Sequence, residues 1–346
     1  MKILFWGAGN ELKSFLMRAD RMPDIFSKDE MVITDRDVCK HGKKFCGRTI
    51  RDPEEVINHT FDQIIVSSQK YYEDIVTDVK ACFDKNVSVL RLKDYSNNGI
   101  ISYQYRRHYE NTSGDLDVHK KEDIPDKIIV YTAITGKYDC LREPEILEEG
   151  IRYICFTDDE SLKSDVWEIR RINMEAFSAP IDAIKHIKIM PDKYFGKEDI
   201  EYSIWIDANY TIRRPIKDLL RLYMLDGKMI LFPHMERCCL YDEAMECVEK
   251  GLADKETVLR QILRYYNEDF PIDMGLYCGG FIGRYHNDPE IIALMEDWLK
   301  EVNMGSSRDQ ISLPYVLNKH NTCFDLINEN IYNNSFISSI RHNDCI

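Results

Sequence analysis

The chain has 346 residues, 44% hydrophobic and 31% charged, enough to fill more than one core without metal or disulfide staples. With 60 acidic and 46 basic side chains its formal charge is −14, which excludes unaided binding to nucleic-acid backbone and argues against broad attachment to an anionic membrane. The 11 cysteines form no CxxC pair, so reduced thiols are the simplest expectation.

The opening MKILFWGAGNELK carries an apolar run too short for a signal-peptide core and lacks a small-residue cleavage site. No later stretch reaches transmembrane length, and a cytoplasmic location is expected. Residues 1–95 alternate strand and helix signals. Strands are expected at Lys2–Trp6, Met31–Thr34, Gln63–Ser67 and Val87–Leu90, with helices at Glu11–Ala19, Pro53–His59 and Tyr72–Phe83. That alternation predicts a Rossmann-like parallel sheet. Residues 96–124 turn polar and charged and read as a linker with one helix near Tyr103–Tyr109.

A second alternating series fills residues 125–346. Its strands are IIVYTAIT, YICFTDD, SIWIDAN, KMILFPH and LYCGGFIGR. Its helices are Asp182–Met190, Pro215–Tyr223, Tyr241–Lys250, Lys255–Glu268 and Pro289–Val302. The chain therefore predicts an α/β protein of two domains.

Several short motifs carry chemistry. Gly7-Ala8-Gly9 follows the first strand and Asp35 ends the second, the places that approach a pyrophosphate and a ribose in a dinucleotide fold. Leu12 stands where the third glycine of that motif would fall. In SIWIDANYTI the apolar run stops at Asp207, and Asn209 follows two residues on. In an extended segment these two point to one side, so their oxygens could share a Mg²⁺ or Mn²⁺ with a nucleotide diphosphate; a simple turn explains the pair equally well. Gly279-Gly280 inside a strong strand marks a bulge or a close approach of ligand, and His286 beyond it is a third candidate metal ligand. Arg308, Asp309 and Gln310 precede a helical run, where Asp309 suits a cap or a place over a sugar ring. Lys185 and Lys188 share a helical face and could neutralise a diphosphate, though a solvated face suits at least one of them better. His342, in the polar tail, is a further candidate. No GxSxG elbow, Walker loop, HExxH helix or kinase motif set occurs.

The blocks YTAITGKYDCL, FTDD, KIMPDKYF, SIWIDANYTI, FPHMERCCLYDEA, GLYCGGFIGRYHN and SRDQISLPYVL, in this order, resemble the domain-of-unknown-function 616 family over roughly residues 127–320. That resemblance implies a glycosyltransferase of the GT-A fold, in a family found in plant cell-wall and mucilage proteins and among bacterial polysaccharide gene products. It puts Asp207-Ala208-Asn209 at the DxD motif, with an amide in place of the second acid. It puts Tyr131, Thr132 and Asp158 near the nucleotide base, and Gly279, Gly280, Asp309 and Gln310 along the donor sugar and acceptor. Asp192 stands where many members carry histidine. The N-terminal stretch more loosely resembles Rossmann-like modules of bacterial polysaccharide-biosynthesis proteins.

The expectation is a Mn²⁺- or Mg²⁺-dependent enzyme that moves a sugar from a nucleotide-sugar donor, with UDP as the expected nucleotide, to a hydroxyl of a glycan acceptor in surface polysaccharide synthesis. Its expected place is the cytoplasm, against the inner membrane face where the acceptor lies. Asp309 and Gln310 are the catalytic candidates. Donor contacts are expected from Tyr131, Thr132, Asp158, Lys188, Asp207, Gly279, Gly280 and Arg308, and metal contacts from Asp207, Asn209 and His286. Two rivals remain: an NAD-dependent nucleotide-sugar enzyme using the GAG loop, and a non-catalytic glycan-binding scaffold.

Overall fold

A computed structural model describes residues 1–26, 29–83, 87–111, 124–196 and 198–340. The chain divides into two compact units, Met1–Tyr103 and Gln104–Ile346.

The first unit holds strands β1 (Lys2–Trp6), β2 (Glu30–Thr34), β3 (Lys44–Phe45), β4 (Arg48–Arg51), β5 (Gln63–Val66) and β6 (Ser88–Arg91). Its helices are α1 (Asn10–Ala19), α2 (Pro23–Phe26), α3 (Pro53–Val56) and α4 (Tyr72–Cys82). The sheet order is β3-β4-β2-β1-β5-β6, parallel throughout except for the β3–β4 hairpin, which the sequence did not announce. Strand β1 shows why both faces are covered. Ile3 and Phe5 enter one core and Leu4 and Trp6 the other, so no residue of the run is left for water. Leu12 is fully buried in the first of these cores, beside Phe15 and Leu16 of the same helix.

Helix α5 (Leu92–Asn111) runs across the boundary between the units. The stretch from residue 96 to 111, expected as linker, is therefore helical: its buried Ile100, Ile101 and Gln104 outweigh a polar composition. Residues 112–123, the remainder of that stretch apart from Ile124, lie outside the described residues, as does His342.

The second unit contains β7 (Ile128–Ile134), β8 (Ile151–Thr157), β9 (Glu168–Arg171), β10 (Tyr202–Ile206), β11 (Tyr210–Ile212), β12 (Met229–Pro233), β13 (Tyr277–Tyr285), β14 (Asp325–Leu326) and β15 (Ile337–Ser339). Its helices are α6 (Pro180–Ile189), α7 (Asp192–Phe195), α8 (Ile216–Tyr223), α9 (Leu240–Glu249), α10 (Lys255–Asn267), α11 (Pro289–Met304) and α12 (Asp309–Lys319). Seven strands form one sheet in the order β14-β12-β13-β10-β7-β8-β9, and β11 pairs with β15 in a separate ribbon. Strands β10, β7, β8 and β9 run parallel, whereas β13 is antiparallel to both its neighbours. All five residues of β10 are buried, and burying each large apolar side chain contributes on the order of 1.5–3 kcal/mol. An antiparallel strand in the middle of a mostly parallel sheet decides which residues can meet at the site.

Candidate active site

Strand β10 ends at Ile206, and the chain then reverses. The Tyr210 amide donates to the Asp207 carbonyl at 3.0 Å, so Asp207–Tyr210 is a tight turn rather than extended chain. The alternation argument for Asp207 and Asn209 therefore does not apply, but one turn holds both side chains. The Trp205 indole Nε1 donates to Asp207 Oδ1 at 2.8 Å, and the other oxygen, Oδ2, lies toward Gly280. Asn209 donates its side-chain amide to the Ile340 carbonyl at 2.8 Å, while its Oδ1 is buried with no partner.

Next to this turn, β13 bulges. Leu231 of β12 pairs with Ile282 but its neighbour Phe232 pairs with Cys278, leaving Gly279, Gly280 and Phe281 looped out of that register. The glycines are needed there for space. A Cβ on Gly279 would lie 2.5 Å from Lys188 Nζ, and one on Gly280 would lie 3.0 Å from the Tyr210 hydroxyl and 3.1 Å from Asp207 Oδ2. Protein side chains thus occupy the space directly above both glycines, and the bulge itself lines the cavity.

Helix α6 supplies the cations. Lys185 and Lys188 lie 2.8 Å and 2.5 Å from the same atom, Oδ2 of Asp309, at the start of α12. Burial would raise the Asp309 carboxyl, but the two ammonium groups outweigh it and hold it well below the usual carboxylate range. Burial pushes the Lys185 ammonium down, with Asp309 opposing. The C-terminal end of α6 is itself anchored: Tyr131 donates to the Lys188 carbonyl at 2.8 Å, and Arg284 donates to that carbonyl at 2.7 Å and to the Tyr131 hydroxyl at 2.6 Å.

These parts enclose a cavity of about 320 Å³ at the carboxyl ends of β7 and β10. Lys185, Lys188, Asp207, Asn209, Gly279, Gly280, Arg308, Asp309 and Gln310 all line it. Trp205, Tyr210, Tyr138, Asp139 and Tyr332 do too, and none of these five was singled out from sequence. Trp205 and Tyr210 flank Asp207 at two and three residues' distance, a spacing that could have flagged them. Arg308 Nε is buried without a partner.

Four expected residues stand elsewhere. His286 lies beyond the far end of β13. Because β13 is antiparallel to β10, its residues near Asp207 are Gly280 and Phe281, and His286 is about 20 Å further along. His286 sits against Phe195, its backbone amide bonded to Glu201, and is no ligand for this site. Tyr131 is buried in the core and anchors α6. Thr132 is fully buried, its hydroxyl unpartnered, and does not line the cavity. Asp158 also stands outside the lining, but its carboxylate accepts the Gly136 amide at 3.1 Å and so fixes the loop that leads to Tyr138 and Asp139.

A divalent ion can be tested against this donor set. Among the described residues no group of three or more His, Cys, Asp or Glu gathers to hold one. The turn offers Asp207 Oδ2 and the orphaned Asn209 Oδ1, fewer oxygens than Mg²⁺ or Mn²⁺ takes. Formal charges along the lining cancel: Lys185, Lys188 and Arg308 against Asp139, Asp207 and Asp309. Alone the turn is too poor in oxygens to hold such an ion; the donor set would fit one only if a ligand supplied the remaining oxygens.

The first unit has its own cavity of about 550 Å³, lined by Gly7, Ala8, Gly9, Asp35 and Lys40 among others. There Asp35 is already engaged. It accepts the Ala8 amide at 2.6 Å, the Asp37 amide at 2.8 Å and Lys40 Nζ at 2.8 Å. Asp35, at the place where a dinucleotide fold binds its ribose, holds the glycine loop and a lysine.

A mostly parallel sheet with a charged cavity at the carboxyl ends of its strands is consistent with a glycosyltransferase-like domain. Residues 96–342 match the TOD1/MUCI70 family, described as a glycosyltransferase-like domain, and the chain belongs to that family. Residues 1–88 match the C2185-like N-terminal family. Comparison with curated proteins finds no match. Among the described residues no helix is long and apolar enough to cross a membrane.

Proposed function

We propose that the cavity beneath the Asp207–Tyr210 turn is the donor site of a GT-A type glycosyltransferase. It takes a nucleoside diphosphate sugar, with UDP as the expected nucleotide, and transfers the sugar to a hydroxyl of a glycan. Bacterial surface polysaccharide synthesis in the cytoplasm is the setting suggested by the sequence resemblance. The observation that carries the proposal is the unpartnered Asn209 Oδ1 on the same turn as the Asp207 carboxylate, at the sheet's carboxyl edge, in a cavity whose own charges cancel.

Transfer places growing negative charge on the departing diphosphate while the anomeric carbon becomes cationic. The chemistry a divalent ion would supply there, if bound with the donor, is Lewis-acid stabilisation of the leaving group. Asp207 Oδ2 and Asn209 Oδ1 are the oxygens that would hold the ion. Trp205 keeps the Asp207 carboxylate from rotating. Gln310 and the backbone at Gly279-Gly280 border the space for the sugar, and Arg308, with its free Nε, borders the same space for a phosphoryl or hydroxyl oxygen.

The test is incubation with a panel of nucleotide sugars and oligosaccharide acceptors in Mn²⁺, measuring release of nucleoside diphosphate. One donor should be turned over, and Asp207→Ala should slow it by about a hundredfold or more. No turnover across the panel, with or without Mn²⁺, would favour a binding scaffold.

A further inference from the structure

We infer that Lys185 is the side chain that meets the donor's phosphoryl oxygens, and that Asp309 seats Lys185 rather than accepting the acceptor's proton. This rests on the cavity being the donor site.

Asp309 is nearly fully buried, and one of its oxygens receives two ammonium groups, Lys188 at 2.5 Å and Lys185 at 2.8 Å. A carboxylate so surrounded has little affinity for a further proton, which makes it a poor general base. The two lysines differ. Lys188 is closed in beneath Gly279, its side chain only 5% exposed, and the chain leaves no room for a Cβ above it. Both line the cavity, but Lys185, three residues earlier on the same face of α6, is 16% exposed and so the more open of the two. One carboxylate cannot neutralise both. Asp207 is near enough to act on Lys185 electrostatically but forms no ion pair with it. Lys185 is therefore the ammonium of the pair that is open to a ligand, on a helix held at its end by Tyr131 and Arg284. A phosphoryl anion is the chemical class that completes this set, and with Asp207 and Asn209 on the adjoining turn it would be held between a lysine and a shared divalent ion.

The experiment is calorimetric binding of UDP, inorganic pyrophosphate and uridine in the presence of Mg²⁺. Lys185→Met should weaken UDP and pyrophosphate by about tenfold or more, the value of one charge-assisted bond, and leave uridine within about twofold. Lys185→Arg, which keeps the charge, should retain most of the pyrophosphate affinity and guards against a mere folding defect. Asp309→Asn should weaken pyrophosphate in the wild-type background, and have little further effect once Lys185 is methionine, because the two act as one unit. Unchanged pyrophosphate affinity in Lys185→Met, or an Asp309→Asn variant that binds pyrophosphate normally, overturns the assignment while leaving the donor site in place. Failure of the wild-type protein to bind either UDP or pyrophosphate overturns both.

Discussion

The indole of Trp205 donates a hydrogen bond to Asp207 across 2.8 Å, from the last buried turn of the pleat to the first residue beyond the strand. Trp205 is 1% exposed and packs edge-on to Tyr131, with ring centroids 5.4 Å apart, so the donor cannot swing away. One oxygen of the carboxylate is spent on orientation and the other is presented to the cavity. A side chain held by a locked neighbour is the arrangement that pre-organisation requires.

Replacing Trp205 with Phe keeps an aromatic ring in the core but removes the donor and leaves a small cavity. The expected outcome is a stability loss of about 1 kcal/mol and a fall in kcat/KM of about tenfold for nucleotide-sugar turnover. Thermal denaturation and steady-state kinetics check both. Unaltered kinetics would mean that Asp207 needs no fixed orientation.

Gly279→Ala puts a methyl group 2.5 Å from Lys188 Nζ and 3.2 Å from Asp309 Oδ2. The end of a lysine can move, so the fold should persist, but the Lys188–Asp309 pair must shift. Donor affinity should fall by about tenfold with an unchanged circular dichroism spectrum. Gly280→Ala meets its neighbours at 3.0 and 3.1 Å and should be milder.

Tyr131 distinguishes an anchoring role from a nucleotide contact. Tyr131→Phe removes the donor to the Lys188 carbonyl and the acceptor for Arg284. Denaturant titration should show a loss of about 1–3 kcal/mol, since a buried guanidinium is left short of a partner. The preference among UDP, GDP and ADP should not change. A changed base preference would return Tyr131 to the nucleotide.

Much of the architecture was legible in the chain. The runs ILFW, QIIV, IIVYTAI and YSIWI are strands because they are apolar on both faces, and the sheets they form are parallel at those positions. Asp207, Asn209, Lys188, Arg308, Asp309 and Gln310, far apart in sequence, do gather at one cavity. The direction of β13 was not legible. An apolar run looks the same read either way, so nothing in LYCGGFIGRYHN revealed that its first glycines, and not its terminal histidine, face Asp207. The short strands β9, β11, β14 and β15 escaped because two to four residues carry too little pattern. The helix from Leu92 to Asn111 was hidden by polar residues such as Gln104, whose amide bonds to the His234 carbonyl at 2.7 Å and could not be foreseen from composition.

His286 gives a pH prediction. It is 2% exposed, both ring nitrogens lack partners, and burial with Arg284 nearby pushes its pKa down to about 4. His234, also buried, is pushed down to about 4, by burial foremost. In the unfolded chain both titrate near 6.5, so between those values the unfolded state binds more protons and stability rises with pH. Stability should therefore be fully present above about pH 6.5 and fall on acidification toward pH 4, by on the order of 3 kcal/mol for each histidine. His286→Leu loses no hydrogen bond and should flatten this fall, measured by denaturant titration at pH 7 and pH 5. It should also leave sugar transfer intact, which a metal ligand would not permit.

The central claim is most directly tested by a crystal structure of the protein grown with UDP and Mn²⁺. The account predicts diphosphate density between Lys185 and the Asp207–Tyr210 turn, with the ion shared by Asp207 Oδ2 and Asn209 Oδ1. Nucleotide bound at the Gly7–Gly9 loop of the first unit, with the cavity at Asp207 empty, would contradict it.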